Sequence, residues 1–241
     1  MARILSIETS TAVLSVALSE DRTVVSERVC TEARQQAALT APLVKEVLDE
    51  SGLGIRDCDA VCVSAGPGSY TGLRVGVSTA KGLAFGAGIP LLAVGTLDIL
   101  VAGARQKDDP SAPQGAGCHS ERSEESFIVP MIDARRMEVY AAVYNTAGAR
   151  LTPVEAKIIG PESFAEYLDR GPVLFVGDGA GKCREVITHP NARFWASSPL
   201  ARNMVPLAFD AFCAGKFQNV AYFEPFYLKD FVATVSKKQL W

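Results

Sequence analysis

Ala65-Gly-Pro-Gly-Ser-Tyr-Thr-Gly-Leu-Arg74 decides how this chain reads. An apolar, β-rich run, Asp59-Ala-Val-Cys-Val-Ser64, leads into it, and a helical pattern begins near Gly72. Strand, glycine turn and helix, in that order, form the part of an α/β protein that commonly meets a ligand. Glycine adopts backbone angles closed to other residues and proline fixes its own φ, so Gly66-Pro67-Gly68 makes a stiff, tight turn. Ser69 or Thr71 is placed to cap the helix. Amides at a helix start can hold an anion. The stretch is neither GxxxxGK[ST] nor GxGxxG, however, and no GxSxG surrounds Ser69. It reads first as a turn that positions the helix, with phosphate contact as the alternative.

The helix carries a row of small residues, Gly72, Gly76, Ala80, Ala84 and Gly88, four apart. Glycine within a helix costs roughly 0.5–1 kcal/mol relative to alanine, and close approach of another backbone offsets that cost. Two readings stay open: the row packs under its own sheet, or it meets a helix of a second protein. Ala37, Ala38 and Ala41 give the preceding helical segment a second small-residue surface, so the latter reading predicts a four-helix contact. Arg74 then pairs with a carboxylate across it, the alternative being a solvated charge. On that reading leucine at Gly76 or Ala80 breaks the complex and spares the fold.

Around this centre the element order repeats. Residues 3–7, 13–18 and 23–29 read as a three-strand meander, 34–50 as an amphipathic helix interrupted by Pro42, 59–64 as a buried strand, 72–88 as a helix and 90–94 as a strand. Thr96 is placed to cap a helix running to about Ala104. Residues 105–126, poor in large apolar side chains, read as a mobile linker. The pattern then restarts, with strands at 127–132, 138–144 and 151–158, a short helix at 162–168, a buried strand at 173–176, a glycine turn at Gly177-Asp-Gly-Ala-Gly181 and a helix at 200–214. Each half is β-β-β-α-β-α. That predicts an α/β protein with a duplicated actin-like, sugar-kinase-like (ASKHA, ribonuclease H-like) fold and two mixed sheets flanked by helices. The alternative is an unrelated pair of α/β domains. Residues 1–104 and 127–241 are the expected domains, with the C-terminal segment free to return to the first.

With 241 residues, 48% of them hydrophobic, the chain can bury one large core or two modest ones. A net charge of −3 gives no basic stripe of the kind that announces nucleic-acid binding. Of the cysteines at 30, 58, 62, 118, 183 and 213, only Cys58 and Cys62 are close, and no histidine follows them at zinc spacing. They read as free thiols of a reducing cytoplasm. No run approaches the roughly 18–20 apolar residues of a membrane span, so a cytoplasmic protein without membrane contact is expected.

Gly66 to Arg74, preceded by Ile4-Leu-Ser-Ile-Glu-Thr-Ser10, resembles the bacterial TsaB (YeaZ-like) family of tRNA threonylcarbamoyladenosine biosynthesis proteins. The likeness continues through Leu73-Arg-Val-Gly-Val77, Lys81-Gly-Leu-Ala84, Met131-Ile-Asp-Ala-Arg135, Glu138-Val-Tyr140, Gly177-Asp-Gly179 and Pro225-Phe-Tyr-Leu-Lys229. It implies a non-catalytic subunit that activates a TsaD-like catalytic partner, with a TsaE-like ATPase, to transfer a threonylcarbamoyl group to adenosine 37 of tRNA. It also implies a homodimer when the chain is alone, and contact with tRNA through the complex. No cofactor is implied for the chain itself; ATP or ADP belongs to the assembled complex. The implied partner interface comprises Gln36, Ala37, Ala41, Gly72, Arg74, Gly76, Ala80 and Ala84. Gln36 stands where many members carry a histidine.

The competing reading is an autonomous actin-like ATPase or small-molecule kinase. Glu8 and Thr9 in the first turn would then face Gly177, Asp178 and Gly179 across a nucleotide, although the first turn lacks glycine. Glu8 bound to Thr11 or to a backbone amide is the alternative. His119 and His189 cannot form an H-x-x-x-H metal pair from one helix. Asp133 and Arg135 can pair with each other or meet a partner, and Phe223, Phe226, Tyr227 and Phe231 pack the tail on the core or stack on RNA bases.

Overall fold

The computed structural model describes residues 1–106 and 126–229. The linker prediction, Cys118, His119 and Phe231 lie largely or wholly outside the described residues.

The first sheet joins β1 (Arg3–Glu8), β2 (Leu14–Glu20), β3 (Thr23–Cys30), β4 (Ala60–Ser64) and β5 (Leu91–Val94) in the order β3-β2-β1-β4-β5. β1, β2 and β3 form an antiparallel meander, while β1, β4 and β5 run parallel. Side chains of a strand alternate between faces, so the central strands, apolar at successive positions, need cover on both sides. Leu5, Ile7, Val61 and Val63 pack against α1 (Gln36–Glu50) and α2 (Tyr70–Ala87). Ile4, Ala60, Cys62 and Leu92 pack against α6 (Ala201–Cys213) on the other face.

The second sheet contains β6 (Phe127–Asp133), β7 (Glu138–Ala141), β8 (Tyr144–Asn145), β9 (Glu155–Ile158), β10 (Val173–Val176) and β11 (Ala192–Trp195). Its order is β9-β7-β6-β10-β11, with β8 beside β6. Reading β6, β7, β9, β10 and β11 as first to fifth reproduces the order of the first sheet. The helices also correspond in sequence: α1, α2 and α3 (Thr96–Arg105) in the first half; α4 (Ala165–Leu168), α5 (Ala180–Cys183) and α6 in the second.

α3 and α6 cross over. α3 packs on β6 and β10 of the second sheet, where Leu97 and Leu100 meet Ile128 and Leu174. α6 lies on the first sheet and is held there by Ala201 N–H donating to Ser15 Oγ at 2.8 Å. Arg202 pairs with Glu27, and Arg22 with Asp210. Sequence order alone places α3 in the first half, but its Leu97, Leu100 and Val101 belong to the second core, while Ile99 joins α6 in the first.

Two local expectations are corrected. Thr96 is the first residue of α3 and not its cap; Gly95 holds the cap position, and the Thr96 hydroxyl is buried without a hydrogen bond. The reading of 138–144 as one strand divides into β7 and β8, whose partners lie on different stretches of β6.

Candidate functional site

The 65–72 loop is clasped between two segments of its own chain. Ser69 caps α2, its Oγ accepting the Gly72 amide at 3.3 Å. Its own amide donates to the Ser10 carbonyl at 2.7 Å. From the other side Phe226 N–H donates to the Ala65 carbonyl at 2.7 Å. A Cβ on Gly66 (φ +99°) would stand 2.7 Å from the Phe226 carbonyl, and one on Gly68 2.4 Å from the Ser10 carbonyl. These glycines admit neighbouring backbone, and the Ser69 amide is already used.

The same explanation extends into α2 and corrects the interface expectation for four residues. Gly72, Gly76, Ala80 and Ala84 are buried in the chain itself. A Cβ on Gly72 would lie 2.1 Å from the Thr9 carbonyl oxygen, and one on Gly76 2.2 Å from Thr9 Oγ1. Thr9 Oγ1 donates to the Gly72 carbonyl at 2.8 Å, locking helix to turn. Ala80 and Ala84 bring α2 down onto the core between α1 and β4. Leucine at Gly76 or Ala80 would therefore break the fold before any complex.

The opposite flank of α2 is exposed. Arg74, Ser78, Gly82, Phe85 and Gly86 follow one another at helical spacing on it. Phe85 is 82% exposed, and a Cβ on Gly82 or Gly86 would meet nothing within 4 Å. Arg74 stacks its guanidinium over the Tyr70 ring at 4.2 Å, and Tyr70 in turn lies 5.0 Å from Tyr227. Beside this flank, Ala37 and Ala41 of α1 are exposed. Gln36 is half-buried, and its amide nitrogen donates to the carbonyls of Thr11 (2.8 Å) and Ala12 (3.2 Å), which ties the start of α1 to the β1–β2 turn.

Glu8 and Thr9, the expected nucleotide residues of the first half, are sealed beneath this packing. Glu8 Oε1 accepts the Ser10 amide at 2.6 Å, as in the backbone-amide alternative. Burial raises the Glu8 pKa to about 7, against the opposing pull of the Ser10 and Ser64 hydroxyls and the Ser10 and Thr9 amides. Thr9 has already committed its hydroxyl to Gly72. In the second half, a Cβ on Gly177 (φ +126°) would lie 2.2 Å from the Met131 carbonyl, and Gly179 N–H donates to that same oxygen at 3.0 Å. Both glycines fit the turn against β6. Of the five candidates, Asp178 lines an open cavity, its Oδ1 accepting the Asp133 amide at 2.9 Å. Surrounding groups shield this carboxylate from water and raise its pKa, although the residue keeps an exposed edge.

That cavity is a cleft of about 940 Å³ between the two halves. One wall carries Ser10, Thr11 and Arg34 with the starts of α1 and α2; the other carries Asp133, Arg135, Tyr140 and Asp178. Asp133 pairs with Lys182, not with the Arg135 guanidinium, though it does accept the Arg135 amide at 2.8 Å. Glu138 pairs with Lys229. Arg34 and Arg135 both have left-handed backbone, with φ +68° and +71°. For residues bearing a Cβ this conformation costs roughly 1–2 kcal/mol, and nothing in the sequence marked Arg34 for it.

Several of the remaining sequence candidates pack within the chain, while Phe226 is exposed. Phe223 packs on the first core, and Lys81 Nζ donates to the carbonyls of Ala221 (3.2 Å) and Phe223 (3.1 Å), which anchors the C-terminal segment. Tyr144 is buried and donates to Asp98 Oδ1 at 2.7 Å. Burial, followed by the Asp57 and Asp59 charges, pushes the Cys58 thiol up to about 11, and burial raises Cys62 as well. Among the described residues no three His, Cys, Asp or Glu side chains converge as a metal site, and no helix is long and apolar enough to cross a membrane.

Two mixed sheets of matching strand order, flanked by helices and meeting at a cleft, define an α/β protein of the glycoprotease, ASKHA-like superfamily. A family model described as "TsaD: tRNA N6-adenosine threonylcarbamoyltransferase" matches residues 24–235. The chain is 33% identical over 242 aligned positions to the tRNA threonylcarbamoyladenosine biosynthesis protein TsaB of Escherichia coli (strain K12), with 96% of each chain covered. It is 32% identical to the protein of the same name from Bacillus subtilis (strain 168), over 76% of this chain and 74% of that one. Similarity to the tRNA N6-adenosine threonylcarbamoyltransferase of Erythrobacter litoralis spans only 39% of this chain and 32% of that enzyme. A solved structure described as YeaZ from Pseudomonas aeruginosa superposes with a TM-score of 0.76 at 29% identity, covering 95% of this chain and all of that one. The chain belongs to the TsaB/YeaZ family.

Proposed function

We propose that this chain is the non-catalytic activating subunit of the complex that transfers a threonylcarbamoyl group to adenosine 37 of tRNA. The observation that carries the reading is the similarity to a TsaB protein over 96% of both chains. The equal strand orders support a duplicated actin-like plan. The packed first turn supports an accessory role: Gly68 and Gly72 lie against the Ser10 and Thr9 carbonyls, where phosphates would need room in an actin-like ATPase.

The contact surface on this reading is the outer face of α1 and α2: Ala37, Ala41, Arg74, Ser78, Gly82 and Phe85. Small residues allow helices to approach closely, and an exposed phenylalanine supplies an apolar anchor. A TsaD-like catalytic subunit is its partner and a second copy of this chain its substitute when alone. A TsaE-like ATPase joins the complex, ATP or ADP enters with the complex, and tRNA is reached through it.

The test is to purify wild-type chain and Phe85→Asp with and without the TsaD-like and TsaE-like subunits, then measure mass in solution and tRNA threonylcarbamoylation. Wild type alone should give no transfer, and should form a heterodimer and support transfer with its partners. Phe85→Asp should remain folded and lose both. Transfer by the isolated chain, or full complex formation by Phe85→Asp, would overturn the reading.

A further inference from the structure

The C-terminal segment is bound along α2 and carries an aromatic side chain that the fold does not use. Val220 and Phe223 pack on the first core. Lys81, near the middle of α2, donates to the carbonyls of Ala221 and Phe223 at 3.2 and 3.1 Å. At the start of α2 the Tyr227 ring lies 5.0 Å from Tyr70. Residues 221–227 therefore run antiparallel to α2 and are pinned at both ends. The Asn219 side chain accepts the Ala221 and Tyr222 amides at 2.9 and 3.2 Å, and the Asn219 carbonyl accepts the Phe223 amide at 2.8 Å. This bonded turn packs Phe223 on the core and leaves Tyr222 83% exposed.

Among the described residues Tyr222 and Phe85 are the most exposed aromatic side chains. They belong to one edge of the surface. The carbonyls of both neighbours of Tyr222 meet the Lys81 ammonium, and Phe85 stands one helical turn beyond Lys81 on the same face of α2. We propose that the C-terminal segment is a third element of the surface that receives the TsaD-like subunit, with Tyr222 as an anchor beside Phe85. This rests on the functional reading above, which gives α1 and α2 to that partner, and Tyr222 continues the same exposed side. Ala41, Ser78 and Gly82 let a partner's backbone come close but bury little apolar area. Two rings at one edge supply that area, and aromatic anchors on a rigid support carry much of the energy of such contacts. A tyrosine buries its ring and keeps its hydroxyl for a polar group at the rim. The partner face that fits is an apolar patch with a hydrogen-bond acceptor at its edge.

The experiment is a sedimentation titration of the full chain with the TsaD-like subunit, on wild type, Tyr222→Ala and Ile158→Ala. Ile158, on β9 of the second half, is 76% exposed and serves as the control away from this surface. Both side chains stand in water, so both variants should keep the urea midpoint of wild type. Tyr222→Ala should weaken the heterodimer about tenfold, the loss of one aromatic anchor, while Ile158→Ala should bind as wild type does. No heterodimer from wild type would overturn the functional reading and this inference together. A wild-type heterodimer that Tyr222→Ala forms with equal affinity would overturn this inference alone, as would an equal loss from Ile158→Ala. A homodimer weakened by Tyr222→Ala, beside an unchanged heterodimer, would overturn it in favour of a second copy of this chain.

Discussion

On one flank of α2, Gly72 and Gly76 lie against the carbonyl and hydroxyl of Thr9; on the other, Gly82 and Gly86 face open space. Both pairs have four-residue spacing, and both carry the same conformational cost. On the inner flank the approach of β1's final turn offsets that cost. On the outer flank nothing among the described residues does, and Phe85 stands exposed beside the bare helix backbone. Small residues on a helix therefore report a close neighbour without saying which chain supplies it.

The largest expected effect lies on the inner flank. Gly72→Ala forces a methyl against a backbone oxygen that cannot swing aside, and should cost about 3 kcal/mol or more in urea unfolding. A loss well under 1 kcal/mol would mean that helix and turn are looser than described. The buried carboxyl beneath this packing gives the next effect. The folded-state pKa of Glu8 is raised to about 7, above the ordinary 4.5. Its contribution is fully present below pH 4.5 and is lost as pH rises towards 7, because only the unfolded chain ionises readily in that window. Stability should fall by about 3 kcal/mol at most between those limits. Glu8→Gln should flatten that part of the profile; a slope retained in the variant assigns it to another group.

The outer flank should respond in the opposite manner. Phe85→Asp changes a side chain already in water, so the isolated chain should keep its unfolding free energy within about 0.5 kcal/mol. Association with a partner should be lost. A large drop in monomer stability would show that the chain itself covers this flank.

Much of the architecture was legible because period and turn chemistry are local signals. The 65–74 stretch announced a turn and a helix, and Ser69 does cap α2. The repeated run of elements anticipated two mixed sheets. The side on which α2 is buried was not legible, because helical spacing yields both a 72/76/80/84 row and a 78/82/86 row. The choice between them rests on Thr9, sixty-odd residues earlier in the chain. The crossing of α3 and α6 was hidden for a similar reason: an apolar helix face does not name the sheet it will cover. β11, Ala192-Arg-Phe-Trp195, was hidden because its arginine interrupts the apolar run that marks the equally short β10. In the cleft, Asp178 and Arg135 had been singled out from motifs, but Arg34 sits in no motif and becomes noticeable only through its backbone and the wall it shares with Ser10 and Thr11.

The difference between the two flanks can be measured with one methyl group on each. Gly76→Ala and Gly82→Ala should move the urea midpoint in opposite directions. The inner methyl meets Thr9 Oγ1 and should lower stability by about 2 kcal/mol. The outer one adds only helix propensity and should raise it by about 0.5–1 kcal/mol. Equal losses from both substitutions would contradict an outer flank left open by its own chain.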